Sequence, residues 1–364
     1  MDGLQRTNYS EVTEFILVGF SQKPHVQAAF FTGLLCFYLF TLLGNSLIVT
    51  VIQRDAHLHT PMYFFLSNLS FLDICYTTSW EPYVLAQCFK DFPTISYTSC
   101  YAQMTISLFL GMTECLLLAI MAYDRFVAIS NPLRYTVIMS NQVCLQMAVG
   151  TWASAFFISV MPIVAIPAQY CGHNVINHFT CEIQALLKLV CSDTPMSLIL
   201  GLVISTFTLP LPFTFILISY IRIVAAVLRI RSTEARLKAF STCGSHLTVV
   251  TIFYGTAIYM YLKPQSKESQ DQDKVISILY GAVTPMLNPL IYTLRNKDVK
   301  GALRKLAGGE RKGIPYLKGD QIALISVMIN YVSNGPMMKH ITHLLAQEWT
   351  QGTERDTLLD MASM

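Results

Sequence analysis

The sequence predicts an all-α membrane protein, a seven-transmembrane helix bundle with its N-terminus outside and its C-terminus in the cytosol, and three observations predict it. The 364 residues are 53% apolar and only 13% charged, about half the charged share of an ordinary soluble domain. Apolar stretches lie near 27–52, 60–80, 98–122, 142–166, 197–228, 238–262 and 275–294, each long enough for a helix to cross roughly 30 Å of hydrocarbon. The third observation is charge asymmetry. Arg54, Arg125, Arg134, Arg222, Arg229, Arg231, Arg236, Lys238, Arg295, Lys297, Lys300, Arg304 and Lys305 fall on one side. Arg6, Lys23, Lys90, Lys188, Lys263, Lys267 and Lys274 fall on the other, diluted by acids. The richer side is cytosolic by the positive-inside rule.

The net charge of +3 is spread over the loops and gives no footprint for nucleic acid. Residues 1–26 form an extracellular tail with no removable signal peptide, so the first span acts as its own insertion signal. Asn8 opens an Asn-Tyr-Ser glycosylation sequon there, whereas the sequon at Asn68 lies inside the second span and is unused. The helix bundle occupies 27–296, a juxtamembrane amphipathic helix 297–307, and a cytosolic extension 308–364. In that extension Gln321 to Val332 is apolar but too short to span. No internal repeat supports a transporter built from duplicated halves.

Of ten cysteines, Cys88, Cys100, Cys171, Cys181 and Cys191 lie on the oxidising side. Cys100 opens the third span, and Cys171, Cys181 and Cys191 share the long 167–196 loop. A bridge from Cys100 would pin that loop across the bundle mouth, with three pairings open and Cys88 left odd.

The third span carries the chemistry. Met121 to Tyr135 ends an apolar run in Asp124-Arg125, a pair that is either an interfacial anchor or a switch. Glu114 and Arg125 are eleven residues apart, about three helical turns, and so share one face. The stripe Met104, Ser107, Leu108, Gly111, Met112, Cys115 and Leu118 runs around Glu114 and is expected to line a central cavity. Asp73 and Glu114 are the deepest carboxylates, able to share a proton or a sodium ion because both cannot ionise uncompensated in low dielectric. In the seventh span, Pro289 removes a backbone hydrogen bond, and Asn288 can rebond freed carbonyls or reach Asp73.

Enzymatic readings fail, because none of the eight histidines, His57, His59, His173, His178 and His246 among them, has triad or metal-helix spacing. The short run His178 to Glu182 is a disulfide loop more readily than a metal site, which needs three or four convergent ligands. No ring of charged or carbonyl-lining residues marks a pore. An ion-conducting or transporting bundle using Asp73 and Glu114 is the rival reading.

The chain resembles the odorant receptors, the olfactory branch of the rhodopsin-like G-protein-coupled receptors, from about Asn8 to Leu306. The resemblance rests on Gly44-Asn45, on the run from Leu58 to Asp73, on Met121 to Ser130, on Asn131 to Tyr135, on Lys238 to Cys243, and on Pro285 to Tyr292. It implies that Arg125 meets the G protein on activation, with Asp124 its resting partner and Tyr220 and Tyr292 rearranging beside it. It also implies a polar core of Asn45, Asp73, Glu114, Asn288 and Pro289, and disulfides Cys100–Cys181 and Cys171–Cys191.

The odorant cavity is expected among Leu108, Gly111, Met112, Ile204, Ser205, Thr208, Tyr254, Ile258, Tyr261 and Ile278, with hydroxyls of Ser107, Ser205, Thr208 and Tyr261 orienting one polar group. No cationic counter-charge appears there, which favours neutral alcohols, aldehydes, ketones or esters over carboxylates or amines. The implied partners are a small, mostly apolar odorant, a stimulatory olfactory-type G protein that raises cAMP, and membrane lipids. The implied location is the plasma membrane of olfactory sensory neuron cilia. Phe126 and Ser130 depart from the family's usual tyrosine and cysteine. Trp80-Glu81 departs at the outer end of the second span, and the long tail departs most.

Overall fold

The computed structural model describes residues 12–19, 23–90, 92–165, 170, 174–190, 208–229, 232–262, 269–295 and 297–308. The chain divides into two units, 1–300 and 301–364, and the fold described belongs to the first. Asn8, Cys171, Cys191, Ile204, Ser205 and residues 309–364 lie outside the described residues, as does the side chain of Tyr261.

Helix α1 spans Pro24–Arg54, opened by a proline at its first turn, where a missing N–H costs nothing. It stops at Asp55, whose carboxylate accepts the His57 N–H at 3.0 Å. Helix α2 runs Pro61–Gln87, again with proline at its start. Helix α3 runs Tyr97–Ser130, capped by Ser96, whose hydroxyl accepts the Ser99 N–H at 3.2 Å. It ends at Asn131 because Pro132 comes next. After the short α4, Tyr135–Ile138, come α5, Asn141–Ala165, and the loop helix α6, Ile183–Leu187. The next two are α7, Pro210–Leu228, and α8, Thr233–Leu262. Helix α9, Ser269–Ile278, passes through one π turn, Leu279–Val283, into α10, Thr284–Arg295, and α11 spans Lys297–Gly308.

Among the described residues five helical stretches are long and apolar enough to cross a membrane: Pro24–Arg54, Tyr97–Ser130, Asn141–Ala165, Pro210–Leu228 and Gln272–Thr293. The expected spans at 60–80 and 238–262 fall inside α2 and α8, helices of 27 and 30 residues that carry more polar side chains. The surface is that of a membrane protein. Leu39, Leu43, Phe71, Val149, Phe157, Leu217 and Ile221 are exposed, while Asn45, Asp73, Thr77, Glu114 and Asn288 are buried. Polar groups inside and apolar groups outside invert the soluble pattern.

The N-terminal tail departs from expectation. Residues Glu14–Leu17 form β1, which lies between β2, Thr94–Ser96, antiparallel, and β3, Val175–Ile176, parallel. Alternation turns Phe15 and Leu17 onto one face, where they join Ile95, Ile176 and Leu186 in a buried cluster with Cys100, Met104 and Cys181. Residues 14–17 are therefore part of the fold and not merely a tail, and α1 begins at Pro24 rather than near 27.

Close helix contacts rest on two glycines. A Cβ on Gly44 would sit 3.1 Å from the Pro289 ring, and one on Gly281 would sit 3.2 Å from Trp80. The first lets α1 meet α10 at the proline, and the second gives the unusual Trp80 its berth. Asn68 donates to Phe64 O at 2.9 Å and accepts from Trp152 Nε1 at 3.3 Å, so the half-buried sequon asparagine is engaged within the bundle.

Candidate functional site

The inward face of α3 connects three groups of residues. At the end of the bundle beneath the sheet it borders a cavity of about 810 Å³, counted to its open mouth. Met104, Ser107, Leu108, Gly111, Met112, Glu114 and Cys115 line one wall, while Leu118 of the expected stripe does not. Thr208 and Leu209 of the segment leading into α7, and Phe253, Ala257 and Met260 of α8, line another, and Cys181, Glu182 and Ile183 form the roof. A side chamber of about 360 Å³ opens from it, lined by Tyr76, Trp80, Gln103, Ser107, Phe179, Thr180, Cys181, Glu182, Ser277, Tyr280 and Gly281.

Of the expected odorant contacts, Leu108, Gly111, Met112 and Thr208 line the main chamber. Tyr254, Ile258 and Ile278 do not. Tyr254 is committed to packing, its ring 5.1 Å from Phe213 and its hydroxyl donated to Cys115 O at 3.3 Å. Ile258 lies about 100° beyond Ala257 on the helix, off the wall formed by Phe253, Ala257 and Met260. Ile278 is turned away similarly, because its neighbour Ser277 and Tyr280, three residues on from Ser277, hold the inward face.

The roof is fixed by the Cys100–Cys181 disulfide and by the Cys181 N–H, which donates to Gln103 Oε1 at 2.9 Å. Glu182, 15% exposed, accepts Ser277 Oγ at 3.2 Å and Tyr280 OH at 3.3 Å. His178 Nδ1 faces two donors of Thr180, the backbone N–H at 3.1 Å and Oγ1 at 3.0 Å. The ring proton therefore sits on Nε2, which is 3.1 Å from both Ser277 Oγ and Glu182. Burial, helped by the Lys274 charge, holds His178 down at about 3, so the contact is a hydrogen bond from neutral imidazole and not an ion pair. Burial raises the Glu182 carboxyl to about 7, against the lowering by Ser277 and Tyr280. Cys88 stays a thiol, donating to Gln27 O at 3.5 Å.

Midway along the bundle the polar core assembles. Asn288 Nδ2 donates to both Asp73 oxygens, at 3.2 and 3.0 Å, so proline frees the helix end while its neighbour ties α10 to α2. Asn45 Nδ2 reaches across to Pro285 O at 3.1 Å. Asn45 Oδ1, Asn288 Oδ1 and Glu114 Oε1 are buried with no hydrogen-bond partner among the described residues. These oxygens and the Asp73 carboxylate are hard donors of the kind a sodium ion takes. Among the described residues no group of three His, Cys, Asp or Glu could hold a metal ion.

At the far end Arg125 is paired with Asp124 on its own helix, and Nε donates to Oδ2 at 2.9 Å. Tyr135 OH donates to the other carboxylate oxygen at 2.7 Å. Burial and the Asp124 charge push the Tyr135 hydroxyl above the usual phenol range, which keeps it a donor. Tyr220 OH lies 2.7 Å from His246 Nδ1 with the two rings stacked, and Tyr292 is buried with its hydroxyl unpartnered among the described residues. Sequence reasoning assigned no role to Tyr135, His246 or Glu182. Tyr135 lies eleven residues after Asp124, across a proline turn, and only the return of α4 brings it back. His246 gave no signal without its partner Tyr220, 26 residues away in sequence.

The comparisons agree with this arrangement. A family model described as olfactory receptor matches residues 34–308. Olfactory receptor 13H1 of Homo sapiens is 57% identical over 299 residues, covering 82% of this chain and 97% of the relative. Olfactory receptor 13F1 of Homo sapiens is 51% identical over 300 residues, 82% of this chain and 94% of the relative. Olfactory receptor 2G3 of Homo sapiens is 52% identical over 304 residues, 83% and 98%. With an apolar helical exterior, a roofed cavity and an Asp-Arg pair joined by one helix face, the chain belongs to the olfactory receptor family, a family of receptors and not of enzymes.

Proposed function

We propose that the chain is an odorant receptor crossing the plasma membrane seven times, N-terminus outside. It binds a small, largely apolar molecule in the cavity under the 167–196 loop. Binding shifts the population toward a state in which Arg125 leaves Asp124 to meet a stimulatory, olfactory-type G protein, raising cAMP. The observation that carries this reading is the single inward face of α3, which lines the cavity from Met104 to Cys115 and carries the Arg125 pair at its other end. A ligand that favours one packing of that face can bias the pair, as population shift requires. The oxygens of Asn45, Asp73, Glu114 and Asn288 would hold a sodium ion between the two. Expression is expected in olfactory sensory neuron cilia.

The test is an odorant panel read by cAMP in cells carrying this chain and its Arg125→Ala variant. The expected outcome is an odorant-dependent rise that Arg125→Ala abolishes while surface delivery and ligand binding persist. Solute or ion flux continuing without G protein would instead favour the conducting bundle built on Asp73 and Glu114.

A further inference from the structure

The two chambers share one carboxyl group set among aromatic rings. Glu182 stands where the two chambers meet, since Tyr76, Ser107, Cys181, Glu182 and Tyr280 line both. Around the side chamber are the rings of Tyr76, Trp80, Phe179 and Tyr280, with Trp80 and Phe179 centred 5.9 Å apart. Ring faces carry partial negative charge, and a carboxyl group among several of them is the arrangement that stabilises an ammonium group. Trp80 is the strongest ring for this purpose.

The remaining acceptor capacity points the same way. Of about four lone-pair positions on a carboxylate, Glu182 uses Oε2 for Ser277 and His178 and Oε1 for Tyr280. One position on Oε1 is left for a donor arriving from the chamber. No Lys, Arg or His lines either chamber among the described residues. Lys274, the buried cation nearest in sequence to Ser277, donates to Gly19 O at 3.1 Å, and Lys188, whose charge acts on Glu182, is exposed and lines neither chamber. Glu114 adds a second carboxyl to the main chamber with one oxygen unpartnered among the described residues. Among the described residues an anionic ligand would face two acids and no base. The main chamber supplies what an apolar tail needs: Met104, Leu108, Met112, Phe253 and Met260.

We propose that the ligand class is small amines, with the protonated nitrogen against Glu182 in the aromatic side chamber and the hydrocarbon part in the main chamber. This rests on the receptor reading and replaces the sequence-based preference for neutral odorants, which rested on the absence of a cationic counter-charge and gave Glu182 no place in the cavity. Glu182, held near 7 by burial, would be drawn into its ionised form by an arriving ammonium, so pairing is favourable around neutral pH.

The experiment compares hexylamine with hexanol, and cyclohexylamine with cyclohexanol, by cAMP in cells with surface-stained receptor, for the native chain and for E182Q, W80A and Y280F. The expected result is that each amine activates at a concentration about tenfold or more below its alcohol, the scale of a charge-assisted over a neutral hydrogen bond. E182Q, which keeps the shape and removes the charge, removes that advantage. W80A weakens the amine more than the alcohol, and Y280F, which keeps the ring, weakens it less than W80A. The inference is overturned if alcohols or other neutral odorants activate and amines do not, or if E182Q shifts amine and alcohol equally. Silence toward amines, alcohols and every other class, with receptor at the surface, overturns the receptor reading itself and the inference with it.

Discussion

Tyr135→Phe should raise signalling in the absence of odorant. The Tyr135 hydroxyl donates to Asp124 at 2.7 Å, and Asp124 in turn holds Arg125. Removing one oxygen atom leaves the ring and its packing, so the loss is confined to this bond. A hydrogen bond to a charged group contributes about 1.5–3 kcal/mol when buried. Tyr135 is only half-buried, so water can replace part of it, leaving about 1.4 kcal/mol, tenfold in an equilibrium constant. If the bond exists only while Arg125 is paired, an active minority of about 1% would rise to about 9%. Basal cAMP per receptor at the surface should therefore climb several-fold, and the same change in an Arg125→Ala background should do nothing. Basal cAMP at or below the native level, with equal surface receptor, would refute the claim that Tyr135 restrains the pair.

Three further outcomes test the packing and the roof. The Glu182 carboxyl sits at about 7, above its ordinary 4.5, so the folded state holds a proton that the unfolded state releases between those values, and stability falls as pH rises through that window. E182Q should accordingly gain in melting temperature over the ligand-free native chain as pH rises from about 4.5 to 7. His178 contacts Glu182 and runs the other way between about 3 and 6.5, so both chains carry His178→Asn in this comparison. A constant difference across that range would contradict the assignment. Gly281→Ala places a Cβ 3.2 Å from Trp80, whose ring is backed by Phe179. It should lower thermal stability by about 1–3 kcal/mol, and in a Trp80→Phe background the loss should vanish, a coupling that a double-mutant thermal melt reads directly. Glu81 is fully buried with neither carboxyl oxygen partnered among the described residues. Glu81→Met should therefore stabilise by about 1–3 kcal/mol, and a drop in melting temperature would show that the carboxyl has a partner.

Features that repeat along one axis were legible in the residues alone. Apolar runs, their lengths and the charges between them reflect the cost of burying backbone and charge in hydrocarbon, a cost incurred residue by residue and so readable residue by residue. The phase of α3 was legible for the same reason. Met104, Ser107, Leu108, Gly111, Met112 and Cys115 share one face because a helix turns 100° per residue, and they do line the cavity. Asn288 reaching Asp73 was one of two partners the residues allowed, and the structure chose it.

Features that depend on chain brought from elsewhere were settled by three-dimensional packing. Phe15 and Leu17 became a strand because loops from 94 and 175 present edges to it. Tyr254 and Ile258 left the cavity because the rotation of α8 is set by its neighbours and not by its own pattern. Glu182 entered because the Cys100–Cys181 bridge pulls the residue beside Cys181 over the bundle mouth. A loop carries no periodicity to project from, so its one decisive carboxyl could be placed only by the contacts that hold it: Ser277, Tyr280 and His178.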